Sequence, residues 1–136
     1  MKIILSEQQY DNLLTEVIRN SEVRTDMDSI MSVAEGKRGV GFITLYPDSR
    51  MSHIAEKMIE DNDLRMVRCP SKPINVVIFS PSFRKDAMEL VSIAEKYNGY
   101  LSVNATEEDS RRIGQLLSYH EDDINDYINR TGEYKR

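Results

Sequence analysis

A strand followed by a proline turn and an amphipathic helix occurs twice in the chain, and this pattern restricts the fold more than any other feature. The first copy is the apolar run 41–46, which leads into a helix predicted at 50–61. The second is the run 74–80, which leads into a helix at 83–97. A shift of 34 residues places FITLYPDSR over VVIFSPSFR, with both prolines and both arginines aligned. The low identity leaves open whether the two copies share an origin.

Two further short strands complete the pattern. The alternating stretch 64–69 and the segment 100–103 each follow one of the helices, which gives the order β-α-β-β-α-β over about 40–104. This is the order of the ferredoxin-like split βαβ fold, with an antiparallel sheet and both helices on one face. In that fold the strands at 42–46 and 76–80 are central and antiparallel to each other. The predicted class is therefore α+β.

The predicted core has helical segments on both sides, within a single domain of 136 residues. Glycines end the second N-terminal helix, and Thr106 is the predicted cap of the first C-terminal helix. The predicted N-terminal part, 1–36, contains a strand at 2–5 and helices at 7–19 and 27–34. The core follows at 40–104. The C-terminal part, 105–131, contains a helix pair at 107–118 and 121–130, and a fraying tail is predicted at 132–136.

Composition excludes several classes of protein. One cysteine and two histidines cannot form an internal disulfide framework and are too few for a Cys/His zinc site within one chain. The longest apolar run after the N-terminal segment, 76–79, is far too short for a signal-peptide core or a membrane span. We therefore expect a cytoplasmic protein with no membrane partner. With 18 basic and 23 acidic residues, the net charge is −5, which argues against nonspecific nucleic-acid binding.

Two strand-to-helix corners each combine serine with arginine and are candidate phosphate sites. Ser49 and Arg50 begin the first core helix, and Ser82 and Arg84 begin the second. Free N–H groups at a helix N-terminus attract anions, and an arginine can hold a phosphate with two hydrogen bonds. Ordinary helix capping with a solvated arginine explains the same residues. Because the central strands are antiparallel, we expect the two corners at opposite ends of the sheet.

Paired arginines on the first C-terminal helix are a third candidate for ligand binding. Arg111 and Arg112 could meet a phosphate or an acidic partner. They also follow Glu107, Glu108 and Asp109, so ion pairs at i,i+3 and i,i+4 spacing explain them without any ligand. Both interpretations fit the sequence.

The segment 38–45, RGVGFITL, resembles the eight-residue ribonucleoprotein signature of RNA-recognition motifs. Arg38 and Phe42 are among the matching positions, whereas Val40 and Leu45 stand where that family has aromatic residues. The resemblance implies RNA bound on the sheet face around Arg38 and Phe42, and the two departures remove side chains on which bases stack. A glycine-rich entry into a core strand is the other interpretation.

No catalytic or metal-binding motif is recognisable in the sequence, which contains no Ser-His-Asp order, HxxxH, CxxC or Walker sequence. We therefore expect no catalytic residue, no cofactor and no metal, and we do not favour an enzyme. Residues 113–128 resemble a helix-turn-helix. Their second helix carries four acidic residues and no cation before Arg130, which DNA phosphate would repel, and this argues against DNA as a partner.

The opening MKIILSEQQYDNLL and the stretch 99–128 are similar to small phage-encoded accessory proteins. This resemblance implies a viral accessory or host-interaction protein rather than a metabolic enzyme. We therefore predict a non-catalytic binding protein that captures a host protein or a small phosphorylated or nucleotide ligand. We expect it to act as a homo-oligomer, because the edges of an open sheet pair readily with a second copy. The alternative is an RNA-binding module that uses the sheet face around Arg38 and Phe42.

Overall fold

A computed structural model of the protein describes residues 25–102 and 104–134, so the strand and helix predicted at 2–5 and 7–19 lie outside the described residues. The chain is α+β, and the described residues form a three-stranded antiparallel sheet and five helices. No helix in this part of the chain has both the length and the apolar character of a membrane span. The elements are α1 (residues 25–34), β1 (Val40–Thr44), α2 (Arg50–Asp61), β2 (Arg65–Cys69), β3 (Lys72–Phe79), a 3-10 turn (Pro81–Phe83), α3 (Arg84–Glu95), α4 (Glu107–Leu116) and α5 (Glu121–Tyr134).

The three strands form one sheet in the order β1-β3-β2, and every neighbouring pair is antiparallel. Val40 lies opposite Phe79 at one end of the β1-β3 ladder, and Thr44 lies opposite Asn75 at the other. The prediction that the strands around 42–46 and 76–80 are antiparallel neighbours is confirmed. The prediction that both are central is wrong among the described residues, because β1 has one strand neighbour there and only β3 has two.

The central strand β3 is apolar on both sides. Val76 and Ile78 pack with α1 and α2, whereas the alternate residues Val77 and Phe79 pack with α3 and α4. All four side chains are at most 3% exposed. A strand that is apolar on both sides must be covered on both sides, so each face of the sheet requires its own layer of helices.

The two core helices therefore lie on opposite faces of the sheet. α2 contributes Ala55 and Ile59 to one buried cluster, and α3 contributes Leu90 and Ile93 to the cluster on the other face. The prediction of a ferredoxin-like sheet with both helices on one face is wrong on this point. The described residues instead form three layers, with α1 and α2 on one side of the sheet and α3 and α4 on the other.

The predicted fourth strand at 100–103 is also not formed as expected, because residues 100–102 belong to no strand and Val103 lies outside the described residues. Gly99 turns the chain with a φ of +85°, and its carbonyl oxygen accepts a hydrogen bond from Asn75 Nδ2 at 2.8 Å. Leu101 then packs with the α3/α4 cluster. Residues 100–102 therefore lie against the layer of α3 and α4 and do not pair with a strand.

Local capping signals located the starts of α2 and α4. Ser49 and Thr106 each accept a hydrogen bond from the backbone N–H three residues further on, at 3.3 and 3.2 Å, and so cap α2 and α4. The helix predicted at 50–61 has these bounds in the structure. α5 is longer than predicted and continues to Tyr134, so the first residues of the predicted tail at 132–136 are helical.

Candidate functional site

The two arginine corners lie at opposite ends of the sheet, as antiparallel strands require. Ser49 and Arg50 follow β1, whereas Ser82 and Arg84 follow β3, whose last residues pair with the start of β1. The corners therefore cannot contribute to one site on the same chain. Each has to be judged by its own surroundings.

The corner after β1 is a closed capping arrangement. Ser49 Oγ accepts from Ser52 N, and Ser52 Oγ in turn accepts from Tyr46 N at 2.9 Å. Both serine hydroxyls are thus engaged with backbone groups of the corner itself. Arg50 is exposed beside them.

The corner after β3 packs against the residue before β1. The Phe83 ring lies where a side chain at Gly39 would be, since a Cβ atom on Gly39 would come within 2.5 Å of the ring carbon Cε1. Ser80 N also donates to Gly39 O at 3.3 Å. In the chain, Arg38 immediately precedes this contact and Arg84 immediately follows it. We call this group the basic corner, consisting of Arg38, Gly39, Ser82, Phe83 and Arg84.

Arg38 is positioned in the basic corner by a ring from the turn between α4 and α5. Its guanidinium carbon lies 5.8 Å from the centroid of Tyr119, within the range of a cation–π interaction. The rings of Tyr119 and Phe83 are 52% and 42% exposed. Neither Arg38 nor Arg84 forms an ion pair with another described residue. Both arginines are therefore available to an anion, with Tyr119 against Arg38 and the exposed Phe83 directly before Arg84 in the chain.

Arg111 and Arg112 are engaged with carboxylates, mostly on neighbouring helices. Arg112 holds Glu89 of α3 with two hydrogen bonds, from Nε to Oε2 and from Nη2 to Oε1 at 2.8 Å. This pairing lowers the pKa of Glu89 and raises the pKa of Arg112. Arg111 pairs with Glu121 of α5 at 3.0 Å and, within α4, with Glu107 at 3.5 Å. Both arginines therefore connect α4 to its neighbours.

Phe42 lies apart from the basic corner. Its half-buried ring packs with Val40 and Val77 in the cluster that α3 and α4 cover. The described helices thus occupy the sheet face on which an RNA-recognition motif stacks bases. Arg38 and Phe42, which the resemblance at 38–45 pairs, do not form one exposed surface.

A buried carboxylate, Asp109, joins α3 to α4. Tyr97 Oη donates to its Oδ2 at 2.6 Å, and Lys96 Nζ donates to its Oδ1 at 3.2 Å. The hydrogen bond from Tyr97 is the main cause that holds the pKa of Asp109 below its ordinary value, against the opposing effect of burial. A carboxylate that is kept ionised and hydrogen-bonded in this way anchors structure and is poorly suited to proton transfer.

Phe83 and Tyr119 are the functional candidates that the sequence did not reveal. Phe83 lies in the corner that was predicted as a phosphate site from Ser82 and Arg84. No local pattern distinguishes its ring from that of a core residue. Tyr119 is distant in the chain from Arg38, and only the packing of the C-terminal helices brings the two together.

Among the described residues, no three His, Cys, Asp or Glu side chains are grouped so that they could hold a metal ion. Comparisons with protein-family models, with curated proteins and with solved structures find no significant match to the chain. Function is therefore inferred from the geometry and chemistry of the basic corner.

Proposed function

We propose that the protein is a non-catalytic binding protein whose basic corner holds the phosphate and the base of a nucleotide. The observation that carries this proposal is the packing of Phe83 on Gly39, which sets a half-exposed ring beside the residue that follows Arg38 and directly before Arg84 in the chain. A guanidinium donates paired hydrogen bonds to phosphate, and an exposed aromatic ring stacks on a planar base. Free nucleotides and single-stranded RNA share this chemistry.

The proposal combines the phosphorylated ligand and the RNA alternative that the sequence suggested separately. The net charge of −5 opposes broad nonspecific binding, so the local pair of arginines has to supply the attraction. If Arg38 and Arg84 each neutralise one phosphate of a single strand, the slope of log K against log salt concentration is about −1.4. A much steeper slope would mean that other cations take part.

The test measures affinity by titration calorimetry for free nucleotides and by fluorescence anisotropy for a labelled single-stranded RNA. Replacing Arg38 or Arg84 with alanine is expected to weaken binding by about tenfold or more, because each removes charge-assisted hydrogen bonds. The matched control is Arg50→Ala, which removes an exposed arginine from the corner at the opposite end of the sheet. We expect this control to bind as the unchanged protein does.

The same titrations distinguish the two sources of ligand. Comparable affinity for free nucleotides and for RNA indicates a nucleotide-binding protein, whereas binding of RNA alone indicates a single-strand-binding module. Inorganic phosphate serves as the probe that lacks a base, and we expect it to bind more weakly than either. The proposal is wrong if neither a nucleotide nor RNA binds, or if Arg50→Ala weakens binding as much as Arg84→Ala.

The homo-oligomer is proposed here from the open edges of the sheet. Among the described residues, β1 and β2 each have one strand neighbour. On β1, the Thr44 N–H already donates to Asp26 Oδ2 at 2.9 Å, so β2 is the better edge for a second copy. Light scattering that reports a strict monomer at every concentration would contradict this part. A phage-related role and a cytoplasmic location stay predictions from the sequence.

A further inference from the structure

An open apolar cleft lies between α4 and α5, and one of its lining residues, Tyr119, also contacts Arg38 of the basic corner. Its volume is about 480 Å³, within the range of about 300–1,000 Å³ that is usual for ligand sites. Leu117 and Ile124 are almost fully buried and form its floor, whereas Tyr119 and Tyr127 line it with rings that are about half exposed. An apolar side chain of a partner could therefore enter the cleft and contact its buried residues.

The close approach of the two helices shapes this cleft. A Cβ atom on Gly114 would come 2.6 Å from Ile124 Cγ1, so the absence of a side chain at Gly114 lets α5 pack directly on α4. Arg111 adds an ion pair to Glu121 across the same interface. Both contacts hold the walls in place without any ligand, so the site is largely preformed.

The charged residues of α5 beside the cleft are acidic, whereas the cation Arg38 contacts the ring of Tyr119. Asp123 is part of its lining, and Asp122 and Asp126 are exposed on the same helix. None of these three carboxylates forms an ion pair with another residue in the described part of the chain. No lysine or arginine lines the cleft. A cationic segment is attracted to such a rim, whereas a nucleic-acid phosphate is repelled.

We propose that the cleft between α4 and α5 is the docking site for a basic amphipathic helix of a partner protein. Apolar side chains at helical spacing would enter between Tyr119 and Tyr127, as in other helix-in-groove complexes. Lysines or arginines beside them would meet Asp122, Asp123 and Asp126. A second copy of this chain fits less well, because its net charge is also −5. This surface goes beyond nucleotide binding, and its Tyr119 also contacts Arg38 of the basic corner.

The test uses a labelled synthetic helix of leucine and lysine, with a leucine and glutamate helix of identical apolar pattern as its counterpart. Fluorescence anisotropy measures affinity, and amide chemical shifts of the isotope-labelled protein locate the peptide. We expect the lysine peptide to bind with shifts concentrated at Ile113, Leu117 and Ile124, and the glutamate peptide to bind at least about tenfold more weakly. Equal affinity for the two peptides, or shifts elsewhere only, would overturn the proposal.

Charge variants make the test specific. Asp123→Asn is expected to weaken binding of the lysine peptide about two- to fivefold, the usual effect of one exposed ion pair. The matched control Asp61→Asn removes an exposed carboxylate from the end of α2 and should leave affinity unchanged. An equal loss in both variants contradicts the proposal. Arg84→Ala should bind the peptide normally, so a failure of nucleotide binding and a failure of helix docking are distinguishable.

Two other occupants are outcomes of the same spectra. Shifts at Leu117 and Ile124 that depend on the concentration of the protein alone would mean that a second copy fills the cleft. Shifts there on addition of single-stranded RNA would mean that nucleic acid does. Either result overturns docking of a basic helix.

Discussion

The replacement Gly39→Ala tests the contact on which the basic corner depends. The new methyl group would lie within 2.5 Å of a Phe83 ring carbon, where non-bonded carbons need about 3.5–4.0 Å. The ring must therefore move away from the strand. Because it is already 42% exposed, it can turn into solvent without disturbing the core beneath.

The cost to stability is small by this reasoning. A phenylalanine with more than half of its surface covered buries on the order of 100 Å², and losing the part that lies on Gly39 costs about 1 kcal/mol. The φ of Gly39 lies outside the left-handed region, so alanine fits the backbone there. Alanine also stabilises the folded protein by about 0.4–1 kcal/mol, because it lowers the conformational entropy of the unfolded chain. The free energy of unfolding should therefore change by less than about 1 kcal/mol.

Under the proposed function, binding should respond much more strongly than stability, because the displaced ring could no longer stack on a base. Loss of one stacked aromatic ring costs about 1–3 kcal/mol, which is a weakening of about 5- to 150-fold. Urea denaturation followed by circular dichroism measures stability, and calorimetric titration measures binding. The double variant with Phe83→Ala should bind like Phe83→Ala alone. Normal nucleotide binding by Gly39→Ala, or a stability loss above about 3 kcal/mol, would refute this account.

Three further predictions concern the helical and strand interfaces. Asp109→Ala should lower the free energy of unfolding by about 1–3 kcal/mol in urea denaturation, because the Tyr97 hydroxyl and the Lys96 ammonium lose a charged acceptor. Asn75→Ala should cost a similar amount, about 1–3 kcal/mol, since its side chain bridges a backbone carbonyl and a threonine hydroxyl, and an unchanged Tm would contradict this. The pKa values of Asp109 and Glu89 are lowered in the folded protein, so folding stabilises their ionised forms. This contribution to the free energy of unfolding is present at neutral pH and is lost as the pH falls below about 4. The loss of stability on acidification should therefore be smaller for Asp109→Asn than for the unchanged protein.

The candidate site was predictable only in pieces. The resemblance at 38–45 pointed to Arg38, and the serine and arginine at a predicted helix start pointed to Ser82 and Arg84. The contact that unites them depends on Gly39 and Phe83 meeting across the β1-β3 register. That register is a long-range property of the sheet, and no short motif encodes it.

Arg112 is a second residue whose main contact could not be predicted from the local sequence. Its sequence neighbours suggested pairing within α4, yet its strongest partner is Glu89 on α3. Spacing along a helix predicts which residues share a face, because the helix geometry is regular. Which other helix lies against that face depends on how both elements pack on the sheet.

The sequence by itself determined the identity of most strands and helices, several of their caps and the antiparallel direction of β1 and β3. These properties follow from hydrophobic periodicity and turn chemistry, which act over a few residues. Only the tertiary structure decided that α2 and α3 cover opposite faces and that residues 100–102 join the helical layer. The physical reason is β3, whose two apolar faces both have to be removed from water. Covering both of them is a requirement of the whole molecule, and no single segment can satisfy it.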